Sequence, residues 1–175
     1  MRYPLALLAA ALLSSLAPES ATAQTRAQQV VKSTNGAWNV VCVEGRDDTC
    51  AMQQIGKGPN GNDALLVNIQ STKNRPNNPG NIPAIIEILT PLGVALEAGV
   101  RLQIDGGDER GASYRVCTQQ GCLVQSPLDD ALLNAMKRGS TARVTIVGVR
   151  QGQQPETIAV SISLSGFTRS FGEID

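Results

Sequence analysis

Histidine is absent from this 175-residue chain. Serine–histidine and cysteine–histidine nucleophilic sites, a histidine general base and histidine-rich metal sites are excluded with it. A G-x-S-x-G elbow, a Walker A loop and a dinucleotide-binding fingerprint are missing as well, so no cofactor is expected. One nucleophile arrangement stays open: a serine–lysine pair drawn from Lys32, Lys57, Lys73 or Lys137, which only spatial placement could assemble. Aromatic residues are few. Past the N-terminal region they are Trp38, Tyr114, Phe167 and Phe171, too sparse for surfaces that stack on sugars or bases. Formal net charge is zero and no basic patch stands out, so binding to nucleic acid or anionic lipid has no electrostatic support.

Long apolar runs are limited to Leu5–Leu16, broken only by Ser14 and Ser15. That run is shorter than the ~20 residues needed to cross a hydrocarbon core, and polar residues follow it at once. With Met1-Arg2 before it and Ala21-Thr22-Ala23 after it, it reads as a secretory signal over residues 1–23, cleaved before Gln24. Residues 24–35 are polar and aperiodic and read as a flexible lead-in; residues 36–175 read as one folded domain. The expected location is the periplasm or the cell exterior, with outer-membrane association as a variant. The first cysteine, Cys42, is too far from the cleavage site to carry a lipid, and no transmembrane segment is expected in the mature chain.

Export makes disulfides the default use of Cys42, Cys50, Cys117 and Cys122. Four cysteines allow three connectivities. Loop entropy barely separates these, but the turn-like residues inside each close pair, Gly45-Arg46-Asp47-Asp48 and Thr118-Gln119-Gln120-Gly121, favour hairpins, hence 42–50 and 117–122. A four-thiolate zinc site is disfavoured by the wide C-x7-C spacing, and thiol–disulfide exchange by the lack of C-x-x-C. No metal site is expected.

Period-two alternation dominates the rest. Trp38, Val40 and Cys42 share a face, and Thr49–Ile55 reads as the return strand. Leu65, Val67 and Ile69 alternate with Leu66, Asn68 and Gln70. Ile86 and Ile88 bracket an outward Glu87, and Val100, Leu102 and Ile104 alternate with polar residues. Ile158, Val160, Ile162 and Leu164 form the cleanest case. Half-buried strands between Gly, Pro and Asn turns predict an antiparallel sandwich or barrel. One main helix is expected over Pro127–Arg138, capped by Ser126 with Pro127 in the first turn. Phe167 and Phe171, four apart, predict a short C-terminal helix that plugs the core. Asp105-Gly-Gly-Asp108-Glu109 could suit calcium but reads better as a polar hairpin turn. The loop Lys73, Asn74, Arg75, Pro76, Asn77, Asn78, Pro79, Gly80, Asn81 resists regular structure while offering many donors and acceptors. Its Lys73, Asn74, Arg75, Asn77, Asn78 and Asn81 form a candidate partner-binding loop.

The ordered landmarks resemble the invasion-associated locus B family of exported bacterial proteins. They are Trp38 with Cys42 and Cys50, Pro91-Leu92-Gly93-Val94, Gly99-Val100, Ile104-Asp105, Tyr114–Cys117, Gly121-Cys122, Asp129–Leu133, Gly139 and Leu164-Ser-Gly-Phe167. The resemblance implies an immunoglobulin-like antiparallel β-sandwich in a bacterial envelope and offers no catalytic residues to carry over. The expected function is therefore a non-catalytic binding module with a protein partner in the envelope or on a host surface, aiding host-cell interaction. A structural or assembly accessory of the envelope and a serine–lysine hydrolase are the rival classes.

Overall fold

The computed structural model describes residues 28–73, 78 and 82–175, apart from the side chain of Asp47. The expected signal, residues 24–27 of the lead-in, and Asn74, Arg75, Asn77 and Asn81 lie outside the described residues. In chain order the elements are β1 Gln29–Asn35, β2 Trp38–Val43, β3 Arg46–Lys57, β4 Asp63–Ser71, β5 Ala84–Thr90, β6 Val100–Ile104, β7 Glu109–Ala112, β8 Tyr114–Thr118, β9 Gly121–Leu128, α1 Asp130–Arg138, β10 Thr141–Gly148, β11 Glu156–Ser163 and α2 Phe167–Ile174. The strands follow the order β7-β6-β10-β11-β3-β4-β5-β9-β8, with the β1–β2 hairpin joined to β3, and every pairing is antiparallel. One end of this path, β7, comes back to touch β9, the last strand but one at the other end, so the sheet is nearly closed into a barrel-like shape. The mostly-β, antiparallel, two-helix expectation holds at that level. The division into two immunoglobulin-like sheets is a finer statement than this path carries.

Alternation explains the interior. Val67, Ile69, Ile86, Ile88, Val100, Leu102, Val124, Val144, Val160 and Ile162 all turn inward and are buried. At about 25 cal/mol per Å² of apolar area removed from water, this continuous aliphatic core is the main stabilising term. Trp38 and Phe167 meet edge to face at 5.4 Å between centroids, and Phe167 and Phe171 stack at 6.1 Å. Helix α2 thus plugs the core as its two phenylalanines predict. The joint between β11 and β3 is weak in register, one residue pair, Ser161 with Lys57. Buried Gln54 repairs it: its Nε2 donates to the Ser163 carbonyl at 2.8 Å and its Oε1 accepts from the Ser163 N–H at 2.9 Å.

Three expectations are corrected. Residues 29–35 of the supposed lead-in form β1, paired along its whole length with β2. The turn between the first two cysteines is Glu44-Gly45, and Arg46 already belongs to β3. The main helix begins at Asp130, capped by Asp129, while Ser126, Pro127 and Leu128 belong to β9. Leu128 lies opposite Ala84 of β5 and is fully buried, and this strand pairing outweighs the local helix-start signals. Asp129 Oδ1 accepts the orphan N–H of Leu132 at 2.8 Å. Asp105, once weighed for calcium, instead accepts the backbone N–H groups of Ser140 and Thr141 at 2.8 Å each.

Two carboxyls at helix ends link folding to pH. Asp129 is held below the ordinary carboxylate range by the Leu132 N–H and then by the Arg110 guanidinium. Glu173 is held down by the Ser33 hydroxyl and then by the Asn35 amide, which tie α2 to β1. Both folded-state values lie below the unfolded ones. Their stabilisation is therefore complete above the unfolded carboxylate range, about pH 4, and is lost as pH falls through the lower folded values. The urea midpoint should hold between pH 7 and 5 and then drop on further acidification. An Asp129→Asn, Glu173→Gln double variant should be weaker at pH 7 and lose less on acidification; an unchanged acid slope would contradict this linkage.

Candidate functional site

Of the predicted recognition loop, Lys73 and Asn78 are among the described residues. Thr72 is buried, donates its hydroxyl to the Ile82 carbonyl, and receives a further anchor from Asn78, whose Nδ2 donates to the same carbonyl at 3.0 Å. Lys73 Nζ lies 3.5 Å from Asp175 Oδ2. These contacts tie the loop base to β5 and to the chain terminus. The cysteines pair as Cys42–Cys50 and Cys117–Cys122, each across directly opposed residues of adjacent strands, β2/β3 and β8/β9. Three of the lysines considered for a serine–lysine site are engaged elsewhere: Lys57 with Asp63, Lys73 with Asp175, and Lys137 over the Phe171 ring at 4.7 Å.

Sequence reasoning missed a two-row pattern on the outer face. Register sets Ile55 of β3 opposite Leu66 of β4, Leu66 opposite Leu89 of β5, Leu89 opposite Leu123 of β9, and Leu123 opposite Val116 of β8. Five apolar side chains thus cross five neighbouring strands in a single line. Its two ends, Ile55 and Val116, are exposed, and the three leucines are half-buried. Beside it runs a polar row, Gln53, Asn68, Glu87 and Gln125, in the same register. Asn68 Nδ2 and Gln125 Nε2 each donate to one Glu87 carboxylate oxygen at 2.8 Å. Gln53 extends the row through Asn68, and Arg115 through Gln125. The carboxylate is held from both sides, so the polar row is a fixed border rather than a set of free side chains. Within a single strand an outward apolar residue is unremarkable, and β5 carries a second one in Ile85; only the register draws these five into one line.

A second feature lies where the barrel fails to close. Between β7, the end of β9 and α1 is a cavity of about 470 Å³, walled by Ile86, Ile88, Val100, Leu102, Val124 and Leu132. Arg110 of β7 stands opposite inward-facing Leu102 and therefore points to the same side of the sheet. Its Nη1 reaches Asp129 Oδ2 at 2.6 Å, so an ion pair spans the mouth from the edge strand to the helix cap. Both groups are substantially exposed, which limits the pair's worth as a stabiliser. An inward charge on a short edge strand also blocks edge-to-edge pairing. Ser126 takes the inward position on β9 between Val124 and Leu128 and also lines the cavity.

Comparison with known proteins follows the landmarks. The family model described as invasion associated locus B (IalB) protein matches residues 38–175, starting at Trp38 and running to the last residue. A crystal structure of invasion associated protein B from Bartonella henselae is similar, with a TM-score of 0.64 at 21% sequence identity, covering 81% of this chain and 94% of that one. At that identity the likeness is one of fold. Among curated proteins none matches the sequence. Among the described residues no helix is long and apolar enough to cross a membrane. The two disulfides fit folding in an oxidising compartment.

Proposed function

The chain belongs to the invasion associated locus B family, and on that premise we propose that it is an exported, non-catalytic binding module of the cell envelope. It engages a protein partner through the apolar row Ile55, Leu66, Leu89, Leu123 and Val116. That row is the observation that carries the reading. An aligned apolar strip bordered by fixed polar groups is the pattern of an interaction surface, whereas scattered exposed hydrophobes are ordinary. The strip has no aromatic ring to stack on a sugar. The engaged lysines and the missing histidine support a role without catalysis. A contribution to host-cell interaction is the finer form of the proposal and draws on the family's name and that of the Bartonella protein. The same reading takes the fold as an immunoglobulin-like sandwich whose two layers divide at the single-pair joint between β11 and β3.

Photocross-linker at position 55 or 116, in living cells, should trap a discrete protein adduct. The same probe at Ser161, exposed on β11, should not. Leu89→Asp should reduce the adduct at least tenfold while leaving the melting temperature within a few degrees. Equal labelling from Ser161, or no discrete adduct from either end of the row, would exclude the row as a partner surface and favour an accessory role without a dedicated ligand.

A further inference from the structure

We propose that the seam cavity is a binding site for a neutral amphiphile, an unbranched aliphatic chain ending in an uncharged amide head group. This site is separate from the outer row: on β9, Val124 faces the cavity while Leu123 faces out.

The walls select the chain. Ile86, Ile88, Val100, Leu102, Val124 and Leu132 are all buried, and the lining includes no aromatic ring. A cavity of about 470 Å³ falls within the range of small-molecule sites. Flexible methylenes fill such walls, and a charge placed among them would lose its hydration without compensation.

The mouth selects the head group. Arg110 and Asp129 face each other across it and their charges cancel. Asp129 is held in place because its other oxygen caps α1 through the Leu132 N–H. An anionic head that sought Arg110 would meet the fixed Asp129 carboxylate, and a cationic head would meet Arg110. An uncharged group that both donates and accepts suits the pair. Arg110 keeps further N–H donors beyond the one directed at Asp129, and Asp129 keeps acceptor capacity. Ser126 adds a hydroxyl facing the cavity that makes no side-chain hydrogen bond to any described residue.

The opening is built in. Strand β8 pairs with β9 only over Gly121–Val124, so the edge of β9 beyond Val124 faces β7. Pro127 lies on that edge, paired with Ile85 of β5 on its other side. A proline within a strand paired along one edge must turn its donorless nitrogen to the other. The ladder that would zip β7 to β9 therefore lacks a donor at that point, and the seam stays open over a preformed space.

Calorimetric titration of the purified chain with octanamide, decanamide and dodecanamide, below their aggregation limits, tests this. Affinity should rise about fourfold per methylene until the cavity is full and then level off. Decanamide should bind at least tenfold more tightly than decanoate or decyltrimethylammonium. Ser126→Leu, which fills the head-group position with apolar bulk, should weaken decanamide at least tenfold without lowering the melting temperature. Leu89→Asp should leave binding unchanged. The proposal is overturned by no saturable binding of any amide, by an affinity that ignores chain length, or by decanoate or the ammonium binding best. It is overturned equally if Leu89→Asp rather than Ser126→Leu abolishes binding, since the ligand would then sit on the outer row. If Ser126→Leu fails to fold, Val100→Phe narrows the same wall from β6 and carries the same expected loss.

Discussion

Gly166→Ala should lower stability by about 3 kcal/mol or more, enough to move the melting temperature by roughly 6–12 °C in a chain of this size. Gly166 precedes α2 with φ +84° and ψ −4°, a left-handed conformation that disfavours any Cβ. Space compounds the strain. A Cβ there would lie 2.0 Å from the Asn35 carbonyl oxygen and 2.4 Å from its carbon, backbone atoms that cannot swing aside. The contact is reciprocal, because a Cβ on Gly36 would meet the Ser165 carbonyl oxygen at 2.5 Å. Two glycines thus let the β1–β2 turn and the approach to α2 interlock, and the Ala37 N–H donates to Ser165 O at 3.1 Å across them. Forcing them apart would lift Phe167 and Phe171 from Trp38 and open one end of the core. Gly172→Ala provides the control. It sits in α2 with nothing within 4 Å of a Cβ, and alanine there should raise stability by about 0.5–1 kcal/mol. Thermal unfolding of both variants decides the point: equal and small effects would mean that the Gly166 approach can relax, and the interlock would not be a stabilising feature.

The strands with one buried face were readable because a period of two repeats locally. Ile86, Glu87 and Ile88 show it: the sequence places Glu87 outward, and the structure puts it at the centre of the polar row. The first strand was not readable, since β1 is an edge with most of its residues exposed and therefore no alternation to see. The start of α1 was misread for a sharper reason. Ser126-Pro127 and Asp129 both offer helix-start chemistry, three residues apart, and nothing local separates them. The choice is made by β5, which pairs with residues as far as Leu128 and pushes the helix start on to Asp129. That same shift hid the cavity, because Ser126 and Pro127 matter there as strand residues, one facing inward and one holding the seam open. The outer row was illegible in principle from single strands: Leu66 or Val116 alone is an unremarkable exception, and only register over five strands makes a line of them.

Removing the Cys42–Cys50 bridge by a double change to serine should lower stability by about 2–5 kcal/mol, and removing Cys117–Cys122 should cost less. Chain entropy gives the order: separations of 8 and 5 residues correspond to about 2.5 and 2 kcal/mol of unfolded-state constraint. Position gives the difference in outcome. Strand β2 carries β1 on one side and β3 on the other, so loosening Cys42 from Cys50 weakens the attachment of the whole first hairpin. Trp38 begins β2 and donates its indole N–H to Ser163 O at 2.9 Å, so the effect should reach the core. Strand β8 is held by β9 alone, over a short register with a bulge, and its Cys117 is exposed. Losing Cys117–Cys122 should therefore fray β8 locally, with faster amide exchange across 114–118 than elsewhere, while the barrel persists. Because Val116 ends the apolar row, capture from position 116 should weaken in that variant, whereas capture from position 55 at low temperature should survive. The Cys42→Ser, Cys50→Ser variant should show the reverse, a larger fall in melting temperature with the partner surface near β8 intact. Non-reducing peptide maps fix the connectivity first, and a 42–117 or 50–122 link would remove the premise. If both double variants lost the same stability and showed uniform exchange, the bridges would act only on the unfolded chain, and the local roles assigned to β2 and β8 would fail.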